Sequence, residues 1–398
     1  MLKSSWPAVP IEALCSRVTS GGTPSRSNPA YYEGGTIPWI KTGELRGWYV
    51  DDIAERITPA AVRESSAKVF PPETVLLAMY GDGKTMGSVG LIRSPAATNQ
   101  ACCAMLADPK KCDPKFLMYS LVYFKPAILK LAISGAQRNL NGKSIKQFAI
   151  GAPPVVAQRR IASILSAYDD LIDNNTRRIA ILEEMARRIY EEWFVRFRFP
   201  GHERARMIES ELGLVPEGWL VVRLDDVLVL QRGFDLPKQD RTEGPFPIVS
   251  ATGTSGSHHE YKVKGPGVVT GRSGSLGAVM YVEGDFWPLN TTLWVKQFAV
   301  GSPLYAFYVL RSINLIGFNS GAAVPTLNRN DIHGLPVVRP TPDVLAAFDE
   351  VVGPMNKLKR RLELVNENLR TTRDFLLPKL ISGDLDVSAV PEPEALAA

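Results

Sequence analysis

Two stretches of the chain carry apolar residues at alternating steps of three and four. Between 154 and 199 the series is Ile161, Leu165, Tyr168, Ile172, Asn175, Ile179, Leu182, Ala186, Ile189 and Trp193. Such a heptad seam predicts a long helix that pairs with another helix. Pro153-Pro154 precede it and Pro200-Gly201 are expected to stop it. Asn175 is polar within the seam, a choice that lowers stability but can fix register. The second series runs from about Asp343 to Pro378: Phe348, Val351, Met355, Leu358, Leu362, Val365, Leu369, Thr372 and Leu376. Gly353-Pro354 predicts a kink or a late start, and Pro378 predicts the end. A seam needs a partner, and the simplest is the other helix of the same chain. A helix of about 40 residues is roughly 60 Å long.

Elsewhere the pattern changes to short apolar runs broken by Gly, Pro, Asn and Ser. The runs at 36–40, 74–79, 87–92, 267–271 and 277–282 predict strands, and 114–133 and 302–314 predict helices. The chain also repeats itself. Pro38-Trp39-Ile40 answers Pro247-Ile248-Val249, and Thr98-Asn99-Gln100 answers Leu289-Asn290-Thr291. Ser134-Gly135-Ala136, Leu140-Asn141 and Ile145 answer Ser320-Gly321-Ala322, Leu327-Asn328 and Ile332. The expected fold is α+β: two similar α/β domains, 1–153 and 200–342, separated by helices at 154–199 and 343–398. An internal pseudo-two-fold would make the helices an antiparallel coiled coil with one globular domain near each end.

Composition narrows the class. Of 398 residues, 45% are hydrophobic and 22% charged, too apolar for a disordered chain. No apolar run approaches 18 residues and the N-terminus lacks a signal-like apolar stretch, so a cytoplasmic protein without membrane contact is expected. Cys15, Cys102, Cys103 and Cys112 are too few for a disulfide scaffold. Net charge is +5 overall but +7 over 1–153, which suits a phosphate-facing surface and equally an ordinary solvated one.

Several short matches fail as chemistry. Ala78 to Thr85 fits a relaxed phosphate-loop pattern, but the following Met86-Gly87-Ser88-Val89-Gly90 reads as strand where a helix is required. Gly271-Arg272-Ser273-Gly274-Ser275-Leu276-Gly277 is a second glycine-rich loop at the equivalent place, without the Gly-Lys-Thr. Asn28-Pro29-Ala30-Tyr31 is one residue from an amino-methyltransferase motif, but 1–153 is too short and strand-broken for the doubly wound sheet that chemistry needs. His258-His259 and the cysteines lack metal-ligand spacing. No catalytic constellation stands out. A nucleotidase built on Ala78–Thr85 and a coiled-coil scaffold that binds no nucleic acid remain as alternatives; a helix after Thr85 would favour the first, a shared basic face would oppose the second.

The whole chain resembles the specificity subunit of type I restriction–modification enzymes. The resemblance rests on Ser20-Gly21-Gly22-Thr23-Pro24, Ile37-Pro38-Trp39-Ile40-Lys41-Thr42-Gly43, Val75-Leu76-Leu77, Gln158-Arg159-Arg160-Ile161, Glu192-Trp193-Phe194-Val195 with Phe197, and Leu376-Leu377-Pro378-Lys379-Leu380-Ile381-Ser382-Gly383, in this order around two heptad helices. The second domain lacks a clear counterpart of the Gly-Gly-Thr-Pro and Trp-Ile-Lys-Thr-Gly stretches. The resemblance implies a chain without catalysis or cofactor of its own. Its two target-recognition domains would read the halves of a split site in double-stranded DNA through the major groove. The helices would set the spacing and dock two methyltransferase subunits, which would carry S-adenosylmethionine and flip out an adenine; a motor–nuclease subunit could join them. Phosphate and base contacts call for Lys, Arg, Asn or Gln at loop tips. The candidates are Lys41, Arg46, Lys84, Arg138, Asn139 and Lys143 in the first domain, and Arg232, Lys238, Arg241, Arg272, Asn328 and Arg329 in the second.

Overall fold

The computed structural model describes residues 6–51, 53–81, 85–133 and 139–391. Two helices dominate the element order, a central one over Val155–Tyr190 and a C-terminal one over Pro342–Ser382. The chain divides into two compact units: Met1–Thr176 with Leu364–Ala398, and Arg177–Glu363. Each long helix therefore gives one segment to each unit.

In the first unit, Cys15–Ser20, Cys102–Ala107, Val75–Ala78 and Val89–Leu91 form an antiparallel sheet in that order. A second sheet orders Arg56–Ile57, Ile37–Ile40, Ala96–Thr98 and Val69–Phe70. Within it Ile37–Ile40 runs parallel to Ala96–Thr98, pairing Trp39 with Ala97 and Ile40 with Thr98. The apolar helix Pro114–Ile133 covers the first sheet, and the short helix Gly142–Gln147 is capped by Asn141, whose side chain accepts from Ser144 N–H. Ala8–Pro10 pairs with Ala149–Gly151.

The second unit repeats this plan. Leu228–Arg232, Thr292–Phe298, Gly267–Gly271 and Val279–Val282 form its antiparallel sheet. Phe246–Ser250 lies parallel to Trp287–Pro288 and antiparallel to Gly253–His258. The helix Pro303–Ser312 stands where Pro114–Ile133 stands in the first unit, Asn328 caps Arg329–His333, and Leu220–Arg223 pairs with Pro336–Arg339. Hydrogen bonds refine the internal alignment. Asn99 N–H donates to Ile40 O and Leu289 N–H donates to Val249 O. Asn99 therefore answers Leu289, one residue away from the match read in the sequence, and Gln100 answers Asn290. The missing Gly-Gly counterpart also comes into view. Gly21 and Gly22 N–H donate to Cys102 O and Thr98 O; Gly233 and Phe234 N–H donate to Thr292 O and Pro288 O. Both turns need glycine: a Cβ at Gly21 would lie 2.6 Å from Asn99 O, and one at Gly233 2.2 Å from Leu289 O. The sequence hid this because only the first glycine is common to both.

Helix pairing is antiparallel within each unit. In the first, Arg373 bonds Asp169 and Asn366 bonds Asn175. In the second, Lys359 pairs with Glu183 at 2.6 Å and Phe348 packs on Trp193. Of the seam residues read from the sequence, Ile161, Leu165, Ile172 and Asn175 are buried, and Ile179, Leu182 and Ile189 are half-buried. On the C-terminal helix Leu362 is buried and Met355 and Leu369 half-buried. Leu358 and Val365 are each 39% exposed, as is Val351. The inward positions are instead Val352, Lys359, Asn366 and Arg373, one residue further on at each step. Three of these four are polar, so a search for apolar periodicity selects their apolar neighbours. The C-terminal helix also runs unbroken through Gly353-Pro354 and Pro378. Proline removes one backbone donor, and in helices that pack against a partner that loss is outweighed. The central helix ends before Pro200, passing into a π-turn over Glu191–Val195. There Phe194, Phe197 and Phe199 gather around Trp219, with Phe199 stacked on it at 5.1 Å.

No helix among the described residues is long and apolar enough to cross a membrane.

Candidate nucleic-acid interface

In each unit four loops meet at one edge of the antiparallel sheet. Parallel strand ends explain why. In the second unit Leu228–Arg232 and Gly267–Gly271 both run antiparallel to Thr292–Phe298, so Arg232, Arg272 and the turn before Thr292 emerge on the same side. The N-terminus of the helix at Arg329 joins them, because Leu327 N–H donates to Arg272 O at 2.8 Å. The first unit does the same with Ser20, Met79, Gln100 and the helix at Gly142; there Leu140 N–H donates to Met79 O at 3.0 Å.

At the first unit's edge lies an open cleft of about 780 Å³, lined among others by Ser20, Tyr80, Gln100, Asn141, Lys143 and Lys146. Tyr80 is 40% exposed, an aromatic ring left available at the rim. Lys143 is exposed on its lining, and Asn139 is exposed just before Leu140. Lys41 follows the strand bonded to Asn99 and pairs with Glu55 at 2.7 Å. Hydrogen bonds from Lys41 and Arg26 hold the Glu55 carboxyl below the usual carboxylate range. Arg46 is exposed in a separate turn next to Gly47, whose N–H donates to Val89 O. Lys84 and Arg138 lie outside the described residues.

The second unit's edge is arginine-rich. Arg232 Nη2 reaches both Asp235 carboxylate oxygens at 3.2 and 3.3 Å, and Asn290 Nδ2 donates to the same carboxylate. Arg272 Nη1 donates to Asn290 O at 3.3 Å, and Arg329 Nη1 donates to Leu230 O at 3.4 Å. His333, on the same short helix, accepts from Leu230 N–H through Nε2, and burial pushes its pKa down, which suits an accepting neutral ring. Asn328 is exposed and caps that helix. Lys238 is exposed on a neighbouring turn, and Arg241 donates to Leu236 O. Structure thus gathers Arg232, Arg272, Asn328 and Arg329 at one edge and leaves Lys238 and Arg241 on the adjoining turn. Tyr80, Gln100, Lys146 and Asn290 were not among the candidates. Gln100 and Asn290 were visible as members of a repeated triplet, but only the strand register shows both at the loop edge.

Of the phosphate-loop match, residues 82–84 lie outside the described residues; on either side of them Ala78 and Ser88 are bonded, and a strand, Val89–Leu91, follows Thr85 where a helix would be needed. Asn28 accepts from Ala30 N–H and starts a single helical turn, Pro29–Tyr31. The four cysteines are buried free thiols; burial pushes Cys15, Cys102 and Cys103 up to about 12. Among the described residues no three His, Cys, Asp or Glu side chains are grouped to hold a metal.

Each unit thus presents basic and carboxamide side chains along one edge of its antiparallel sheet. Comparison with known proteins makes this specific. Residues 3–184 match the family described as type I restriction modification DNA specificity domain. The MjaIX type I restriction enzyme specificity subunit of Methanocaldococcus jannaschii is 27% identical over 97% of this chain and 95% of its own length. The EcoR124I/EcoR124II specificity subunit of Escherichia coli is 29% identical over 46% of each chain. A solved S subunit of a type I restriction–modification system from M. genitalium shares the fold, with a TM-score of 0.65 and 17% identity over 95% of this chain and 96% of that one. The chain is thus similar, over nearly its whole length, to type I restriction–modification specificity subunits, and its residues 3–184 match the DNA specificity domain of that family.

Proposed function

We propose that the two units each read one half of a split DNA site, and that the paired helices set the distance between the halves. The observation that carries this is the repeated sheet edge, with Gly21 and Gly233 turns, Asn141 and Asn328 caps, and polar loops in the same places. Base edges in the major groove distinguish all four base pairs, and side chains at strand ends and helix starts are suited to reach them. Lysines and arginines at the rim supply phosphate contacts that fix orientation. The chain contributes recognition rather than chemistry. Two methyltransferase subunits docked on the helices would supply S-adenosylmethionine and methylate an adenine in each half, and a motor–nuclease subunit is the further partner this reading admits.

The test is co-expression with a methyltransferase subunit of a type I system and mapping of methylated adenines. A two-part motif with methylation in both halves is expected. Removing seven residues from each long helix shortens the pair by roughly 10 Å and should shorten the spacer by about three base pairs. A well-formed complex whose motif is continuous, or whose spacer ignores the deletions, overturns the reading.

A further inference from the structure

The two edges are built alike but carry different chemistry. Ser20, Met79, Gln100 and Gly142 of the first unit stand where the second unit has Arg232, Arg272, Asn290 and Arg329. Three positions that hold arginine in one unit are uncharged in the other. The first unit's described cations at its cleft, Lys143 and Lys146, are flexible-stemmed ammonium groups. Lysine acts as a point charge, whereas the planar guanidinium offers a rigid fork of donors.

Nor are the arginines loose surface charges. Asp235 accepts from Arg232 and Asn290 together, and the Asn290 carbonyl holds Arg272. Arg272 is held by one nitrogen to the backbone of the turn at 289–292, which is itself bonded to the sheet, and Arg232 by one nitrogen to Asp235, which Asn290 of that turn also bonds. The remaining donors of each fork are left for a ligand. Holding a side chain this way removes rotamer freedom before binding, so less is lost when the complex forms. Arg272 is half-buried and Arg232 exposed, so both reach solvent from a fixed base.

A guanidinium fork matches one base edge in the major groove: the paired O6 and N7 acceptors of guanine. Adenine offers a donor beside N7 and repels it. Resting on the half-site reading above, we propose that Arg232 and Arg272 read guanine in the half-site bound by the second unit, with Asp235 as the positioning residue for Arg232. The first unit, with Gln100 at the place of Asn290, reads its half-site by other groups.

The experiment uses the full chain in complex with its methyltransferase partner, acting on a plasmid library with both half-sites randomised. Arg232→Lys and Arg272→Lys keep the charge and lose the fork. Each is expected to relax one guanine position of one half-site, with a loss of discrimination of roughly ten- to hundredfold, while the other half-site stays unchanged. Asp235→Ala, which leaves both arginines in place, should relax the position read by Arg232 and leave that read by Arg272. Loss of preference at a base other than guanine, or lysine variants that keep the full motif, overturns the proposal, the latter because a phosphate contact survives the exchange. If the unaltered complex gives no two-part motif, the half-site reading itself fails and this inference with it. Pull-down of the methyltransferase subunit by each variant separates impaired recognition from impaired assembly.

Discussion

Asp169 is a buried ionisable group of the helix pair. It is 3% exposed, accepts from Tyr119 Oη at 2.5 Å and bonds Arg373. Burial raises its pKa, against the hydrogen bonds from Tyr119 and Arg373 that lower it. Removing Arg373 leaves a buried carboxylate without its counter-charge, which costs about 3–5 kcal/mol in comparable sites. Arg373→Ala should therefore lower the melting temperature sharply at pH 7. The sign of the pH dependence follows from linkage: a carboxylate raised in the folded state stabilises below its unfolded pKa, near 4, and that contribution is lost as pH rises through the folded value. The variant should recover part of its stability on acidification relative to the parent; melting curves from pH 5 to 8 check this. At the cleft, Lys143→Ala with Lys146→Ala should weaken DNA binding and reduce its salt slope by about 1 for each phosphate no longer neutralised. A salt titration in which the slope is unchanged removes both from the DNA face.

At the scale of elements, the helix pair is held by polar layers as much as by apolar ones. Asn366 is 2% exposed. Its Oδ1 accepts from Asn175 Nδ2 at 2.9 Å, and its own Nδ2 donates to Ile172 O at 3.4 Å and Thr176 Oγ1 at 3.3 Å. An unmatched buried carboxamide costs about 1–3 kcal/mol, while replacing both partners by apolar groups is near neutral. Asn366→Leu alone should destabilise the chain, and adding Asn175→Leu should restore most of the loss. A double-mutant cycle in thermal melts measures this; additive single effects would mean that the two carboxamides act independently. The short capped helices behave differently. Asn141 and Asn328 hold the starts of Gly142–Gln147 and Arg329–His333 at the sheet edge, so their contribution is to place neighbouring side chains more than to stabilise the pair.

Across the whole molecule, one plan is used twice with different surface chemistry. Each unit has its own apolar core: one built around Leu77, Met105, Phe116 and Leu121, the other around Leu230, Val295, Tyr305 and Phe348. The core residues are deep in sheet and helix, while the residues that differ most in charge sit in loops at the sheet edge. Loops of this kind accept substitution without disturbing the fold, and function concentrates there. A recognition protein gains from that separation, because a new specificity requires no new core. The heptad deletions and the arginine variants act on different parts of this plan, one changing spacing and the other changing base preference.

Periodicity and short apolar runs determined the long helices and five of the strands, because burial of one face repeats at the period of the element, and repeated short motifs marked the duplication. The helix at 114–133 and the strands around 75–78 and 267–271 were legible for this reason. Only half of the C-terminal helix's seam was, through Met355, Leu362 and Leu369; the rest was not, because Lys359, Asn366 and Arg373 face inward and their partners Glu183, Asn175 and Asp169 lie far away in sequence. Polar pairing leaves no mark on an apolar pattern. Resemblance supplied the family, but residue type and turn signals, which mark DNA-facing candidates, cannot tell an edge from an adjoining loop. Only the tertiary structure decided that Arg232, Arg272 and Arg329 share an edge, that Gly233 answers Gly21, and that Gln100 and Asn290 stand at equivalent places on the two edges. Those relations are set by strand register across long stretches of intervening chain, as from Arg232 to Asn290, and register is a property of pairing, not of composition.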